Sequence, residues 1–330
     1  MLTRPVLASL LAVVSVTSLT SCNSRDAAGH SAADTSAAAP SGASTEGRKK
    51  VLLIGIDGIR VDILEQAATP NLDALAAGGA FSADARTRPI TVSGPGWSSM
   101  LTGVWMEKHG VESNDFTGNH YAEYPDFLTR IEQVRPDLST YAVIHWPAMG
   151  TTADGGPMIS RVVDVLVNIN GDAIGYATAD AEVISIAAHY LSVGDPDATF
   201  VYMTNTDSVA HETSSFSVEY RAAIELADRR VGELVAAVQS RPTYAQEDWL
   251  ILSSTDHGRT DEGGHGEDSL EERTIYYLAS GPSADPTALT ATPNIVDVAP
   301  TALAHLGIQV DPDWNLDGQV NGLDPAPGMR

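Results

Sequence analysis

KKVLLIGIDG, residues 49–58, is a short unbroken apolar run that ends on an aspartate and a glycine. A strand that is apolar at every position, rather than at alternate ones, is buried on both faces and belongs to a parallel sheet covered by helices. Two further runs have the same form. ATFVYMTNTD (198–207) delivers Asp207, and DWLILSSTDHG (248–258) delivers Asp256. YAVIHW (141–146) and TIYYLAS (274–280) read as two more strands. Between them lie helical patterns. TPNLDALAAGGAF predicts a helix from Asn71 to Ala77 stopped by Gly78-Gly79, and SSMLTGVW (98–105) a second one started by Ser93-Gly94-Pro95-Gly96. TADAEVISIAAHYLSVG (178–194), EYRAAIELADRRVGELVAAVQS (219–240) and NIVDVAPTALAHLG (294–307) follow. Strands alternating with helices imply an α/β fold with a largely parallel central sheet and helices on both faces. Residues 150–175, rich in Gly and Asp, read as an insertion near the site.

In open α/β sheets ligands bind at the carboxyl edge of the strands, so Asp57, Asp207 and Asp256 can converge there. A lone strand-end aspartate is usually a cap or a turn residue. Three of them with matching histidines are not. Asp207 and His211 are spaced by one helical turn and share a face. His257 adjoins Asp256, and His265 sits in EGGHGED (262–268), whose glycines let the backbone approach closely. Asp and His ligands suit Zn²⁺ best, with Mn²⁺ or Fe as alternatives. Ser93, in TVSGPGW (91–97), is placed as a nucleophile or as a plain N-cap. No histidine is near it in sequence, so its activation falls to a metal, and the tight turn of Gly94, Pro95 and Gly96 leads into a helix whose N-terminus would face a phosphate.

The series Asp57, Ser93, Asp207-x-x-x-His211, Asp256-His257 and His265 resembles the alkaline phosphatase superfamily, and within it the type I phosphodiesterase/nucleotide pyrophosphatase family. TPNLDALAAGGAF, LTGVWMEKHGV (101–111), ELADRRVGELVAAV (225–238) and DVAPTALAHLG (297–307) support the resemblance, which runs from about Lys50 to Leu323. It implies an alkaline phosphatase-like fold and two divalent metal ions. One would be held by Asp207, His211 and His265, the other by Asp57, Asp256, His257 and Ser93. It also implies that Asn114, in HGVESN, binds a phosphate oxygen. The implied mechanism is in-line attack by Ser93, a phosphoseryl intermediate and its hydrolysis by water, with each metal stabilising one of the attacking and leaving oxygens. The chain departs from the family at the nucleophile, where nucleotide pyrophosphatases carry threonine in a Thr-Phe-Pro-Asn run. The missing aromatic leaves nucleotide preference open. Ser93-x-Pro95 is also similar to serine-type sulfatases, but Trp97 replaces the arginine of their motif.

Composition bounds the partners. The 330 residues carry a formal charge of −24 and are 43% hydrophobic. Nucleic acid and anionic lipid surfaces require basic patches, so neither is expected to bind. An anionic substrate needs local positive charge, and two divalent cations supply roughly +4 against three ligand carboxylates, leaving about +1. The surroundings of Arg86 and Arg88 could add a cation.

Residues 1–21 have a basic Arg4 followed by an apolar stretch too short to span a membrane, and they end in the lipobox-like Leu19-Thr20-Ser21-Cys22. The expectation is a lipoprotein signal peptide with lipidation of Cys22, the only cysteine, or else a plain secretory signal; either places the protein outside the cytoplasm. Residues 22–48, dominated by Ala, Ser, Gly and Asp, read as a flexible tether ahead of a catalytic domain at 49–330. DWNLDGQVNGLD (313–324) places Asp313, Asn315, Asp317, Gly318 and Asp324 as in a calcium loop and resembles one dockerin-type repeat. Such repeats come in pairs and family members carry a similar hairpin, so calcium is not expected. His109 and His305 read as structural, His120 and His189 as surface residues, His30 as inert, and His145, Trp146 and Trp105 as packing or rim residues. The function indicated is an exported phosphoric-ester hydrolase acting on a small-molecule phosphate ester. A phosphoryl transferase with a surface acceptor and a catalytically silent binding lipoprotein are the alternatives.

Overall fold

The structure, a computed structural model, describes residues 47–323. The expected signal peptide, Cys22 and nearly all of the tether lie outside the described residues. Seven strands form one sheet: β1 (Arg48–Ile56), β2 (Gly79–Arg86), β3 (Thr140–Ile144), β4 (Val165–Asn168), β5 (Ala198–Met203), β6 (Glu247–Ser254) and β7 (Thr274–Ser280). Their order is β2-β7-β6-β1-β5-β3-β4. From β6 to β4 all neighbours are parallel, and β7 runs antiparallel to both β6 and β2. The largely parallel sheet expected from the sequence is present, with one reversed strand.

The unbroken apolar run of β1 has the cause inferred from it. Val51 and Leu53 point into one core, with Met100 and Leu101 of the Ser93–Thr102 helix, Ile131 of Phe127–Val134 and Leu303 of Val298–His305. Leu52 and Ile54 point into the other, with Ile184 of Tyr176–Val193 and Val231 and Leu234 of Val218–Gln239. Each fully buried aliphatic side chain of this kind contributes about 2 kcal/mol. Among the described residues no helix is long and apolar enough to cross a membrane.

Two strands escape a reading by apolar periodicity. GAFSADAR in β2 and the four-residue β4 are the sheet edges, only partly buried, and so carry weak patterns. The helix expected over 98–105 instead begins at Ser93 and stops at Thr102, because Gly103 takes a left-handed conformation that closes it. The segment 150–175 contains β4 and short helical turns, and its Asp154 reaches the site described below.

Strand order does the positioning. β5, β1 and β6 are adjacent, and Gly55 pairs with both Tyr202 and Ser254. Asp57 and Asp256 therefore each leave the sheet two residues past one rung. Asp207 follows β5 on the Asn205–Glu212 helix, where it and His211 lie one turn apart.

The calcium-like loop has another use. Asp317 accepts from the Trp105 backbone N–H (2.8 Å) and from Lys108 Nζ (2.6 Å), which also donates to the Asn315 carbonyl. The loop thus fastens the 103–108 turn. Asp324 lies outside the described residues.

His109 is wholly buried; the Val111 N–H donates to its Nδ1, and its Nε2–H donates to Ser99 Oγ. Burial, then the neighbouring His120 charge, lower it from 6.5 to about 4. The neutral ring is the native form, so its contribution to stability is complete above pH 6.5 and is lost as pH falls from 6.5 towards 4, by about 3 kcal/mol. Urea unfolding of the wild type should weaken more steeply over that window than unfolding of His109→Gln; parallel slopes would refute this role.

Candidate active site

Ser93 is the first residue of a helix whose ten residues are all buried. Its Gly-Pro-Gly sequence reads as a tight turn but works as a close-packed first helical turn. A Cβ on Gly94 would lie 2.1 Å from the Ser113 carbonyl oxygen, and one on Gly96 would lie 2.9 Å from the Asp256 carbonyl oxygen. Only glycine permits that approach, which brings Ser93 beside Asp256-His257 and Asn114. Ser93 is not the cap; that position is Val92. The Gly94 N–H donates to Asn114 Oδ1 at 2.8 Å, which turns the Asn114 amide N–H groups away from Gly94.

The His257 Nδ1–H donates to the Gly258 carbonyl at 2.9 Å, so Nε2 carries the lone pair. Ser93 Oγ lies 3.3 Å from that Nε2, a proximity that 164 residues of separation hide in the sequence. Asp256 Oδ2 lies 3.3 Å and Asp57 Oδ1 3.6 Å from the same nitrogen. Both carboxylate oxygens are buried and have no hydrogen-bond partner, whereas Asp57 Oδ2 accepts from Trp97 Nε1 (2.9 Å) and Tyr202 OH (2.7 Å). Burial, and then the Asp57 charge, push the Asp256 carboxyl well above the usual carboxylate range. Burial pulls His257 down, leaving it neutral.

On the other side, the His265 Nδ1–H donates to the Thr91 carbonyl at 2.7 Å, which aims its Nε2 at His211 Nε2, 2.9 Å away. Burial, then His257 and Arg259, lower His265 to about 2. Asp207 lies beside both, at 3.6 Å from His211 and 3.5 Å from His265. Ligand atoms of Asp207, His211 and His265 fall within 4.8 Å of one another, and so do those of Asp57, Asp207 and His257. Asp207 therefore stands between the two groups.

Lone pairs and carboxylate oxygens without hydrogen-bond partners converging in a buried pocket repel one another unless a proton or a cation lies among them. The donor set of carboxylates and neutral imidazoles fits divalent cations of the zinc type. The seven side chains nominated from the sequence as metal-binding (Asp57, Ser93, Asp207, His211, Asp256, His257 and His265) are brought together, with Asn114 at the edge.

An adjoining cavity of about 170 Å³ is lined by Asp57, Ser93, Asn114, Trp146, Asp154, Tyr176, Tyr202, Thr204 and Asp207. The cation near it is one the sequence did not single out. Arg259 is wholly buried, pairs with Asp207 Oδ1 and donates to the carbonyls of Gly58 and Gly263. Burial lowers it to about 10. Arg86 and Arg88 do not line the cavity: Arg86 pairs with Asp84, and Arg88 stacks 4.1 Å over Trp105. Only the placing of Asp207 gives Arg259 a meaning, so no local signal could have found it.

A sequence model described as type I phosphodiesterase / nucleotide pyrophosphatase matches residues 51–301. The chain belongs to that family. It is 24% identical over 238 residues to ectonucleotide pyrophosphatase/phosphodiesterase family member 7 of Rattus norvegicus, covering 67% of this chain and 52% of the relative. Bis(5'-adenosyl)-triphosphatase ENPP4 of Bos taurus is 24% identical over 228 residues, 64% of this chain and 48% of that one. The chain thus spans about half the length of the curated relatives it matches. Among solved structures, murine ectonucleotide pyrophosphatase / phosphodiesterase 5, in an inactive form in complex with AMP, aligns with a TM-score of 0.61 at 15% identity, over 80% of this chain and 96% of that one. This type I phosphodiesterase / nucleotide pyrophosphatase family member therefore has the alkaline phosphatase-like fold of those neighbours.

Trp97→Phe removes one of the two donors to Asp57 Oδ2 in a site where Asp57 Oδ1 has none. A loss of about 2 kcal/mol in urea unfolding is expected; an unchanged midpoint would show that Asp57 does not need the indole.

Proposed function

We propose that this family member is an exported two-metal phosphoric-ester hydrolase that works through a phosphoseryl intermediate at Ser93. The observation carrying the reading is the convergence of Ser93 Oγ with the unpartnered oxygens of Asp57 and Asp256 around His257 Nε2. A serine paired with a histidine could also signal base catalysis, but here two carboxylate oxygens crowd the same lone pair, which favours ligation. Divalent cations, Zn²⁺ for this donor set, would when bound supply positive charge and Lewis acidity for the attacking and leaving oxygens.

The chain's own residues do the rest. Ser93 is held rigidly by its buried helix, so its Oγ meets the phosphorus in a fixed direction. As the Oγ–P bond forms, the Oγ proton passes to solvent and the ester O–P bond breaks; the departing oxygen keeps the bonding pair and takes a proton from water. Water then attacks the phosphorus, the Oγ–P bond breaks with its pair on Oγ, and a proton of that water restores the Ser93 hydroxyl. Asn114, its carbonyl occupied by Gly94, presents amide N–H groups to a non-bridging oxygen.

Diesters suit the adjoining cavity better than monoesters. Among the described residues no Lys or Arg lines it to balance the second charge of a monoester, whereas Trp146 and Tyr176 offer ring surface for a second ester group. The relatives' names, with their phosphodiesterase and triphosphatase activities, point the same way. Export and a lipid anchor on Cys22 rest on the lipobox-like sequence alone.

The test uses zinc-loaded protein with bis-p-nitrophenyl phosphate and p-nitrophenyl phosphate. The diester should turn over faster, Ser93→Ala should lose about 10³-fold or more, and Asn114→Ala about 10²-fold. A chelator should abolish activity and Zn²⁺ restore it. Full activity in Ser93→Ala, or indifference to the chelator, sinks the mechanism.

A further inference from the structure

Behind the corner that launches Asp207 and His211 lies a buried carboxylate that the chemistry above does not use. Asp180, on the Tyr176–Val193 helix, is 1% exposed. Its Oδ1 accepts from His145 Nε2 (2.7 Å) and from the Thr204 backbone N–H (3.0 Å). Its Oδ2 accepts from Arg230 Nη1 (2.7 Å) and from the Asn205 backbone N–H (3.3 Å). Arg230, on the Val218–Gln239 helix, also donates to the Ala177 carbonyl at 3.1 Å, tying the two long helices together at this point.

Thr204 and Asn205 are where β5 turns into the Asn205–Glu212 helix, so Asp180 grips the backbone two residues before Asp207. His145 carries the same anchor sideways. Its ring packs 5.0 Å from that of Tyr202, whose hydroxyl donates to Asp57 Oδ2. One carboxylate therefore stands behind two aspartates that belong to one ligand group.

We infer that Asp180 is a positioning residue for the metal site, setting the Thr204–Asn205 corner and the Tyr202 ring so that Asp207 and Asp57 present their oxygens to the bound cations. The inference rests on the two-metal reading of the site. A carboxylate is required because four donors converge on it and all its lone-pair capacity is used. An asparagine in the same place has one accepting oxygen and would turn its own N–H groups towards donors, leaving two of them unsatisfied.

The experiment measures Zn²⁺ affinity and stoichiometry by titration calorimetry on metal-stripped full-length protein. It compares the wild type with Asp180→Asn and with Leu191→Ala, a cavity variant on the same helix that touches none of these groups. The wild type should bind two Zn²⁺. Asp180→Asn should weaken binding by about 10–100-fold. Leu191→Ala should lower the melting temperature while leaving the affinity unchanged. If Asp180→Asn does not fold, His145→Gln, which alters one donor and keeps the Arg230 pair, should shift affinity in the same direction. Unchanged affinity in the folded Asp180 or His145 variant, or equal weakening in Leu191→Ala, overturns the positioning role. A wild type that binds no Zn²⁺ overturns the metal reading itself, and the inference with it.

Discussion

Two buried carboxylate oxygens, Asp57 Oδ1 and Asp256 Oδ2, face the lone pair of one histidine with no hydrogen bond to either. Left without a proton or a cation between them, such groups in a buried interior cost free energy, and the surrounding side chains hold them in place. Trp97 and Tyr202 clamp the other oxygen of Asp57, the Gly58 N–H donates to Asp256 Oδ1, and the Gly258 carbonyl fixes the His257 tautomer. The sheet contributes rigidity, since the two aspartates leave adjacent central strands buried on both faces.

The same constraint explains why a chain of such acidity could act on an anion. Among the described residues the cavity beside Ser93 is lined by Asp57, Asp154 and Asp207 and by no Lys or Arg, and Arg259 next to it is already engaged by Asp207. On the proposed function, positive charge for a phosphoryl group would come from bound cations, which would tie metal loading to substrate binding.

Legibility in the sequence followed burial and locality. β1, β5 and β6 were readable because a strand with two covered faces has no polar alternation to confuse it. The edge strands β2 and β4 were not, since half-covered edges tolerate residues such as the Ser and Asp of GAFSADAR. Asp207 and His211 were legible together because one helical turn joins them. Ser93 and His257 were legible separately but not as a pair. The Ser-Gly-Pro-Gly run has the composition of a turn, although its glycines serve close packing against Ser113 and Asp256.

By itself the sequence determined the α/β class, the aspartates at strand ends and the Asp, His and Ser side chains nominated for a site, because each depends on local pattern and chemical identity. Tertiary structure alone decided that β5, β1 and β6 are neighbours and that Asp207 stands between two ligand groups. It also decided that Arg259, rather than Arg86 or Arg88, pairs with Asp207 beside the cavity, and that Asp180 underlies the corner carrying Asp207 and His211. Strand order and the meeting of helices are set by how the whole chain buries its two cores, and no window of sequence contains that information.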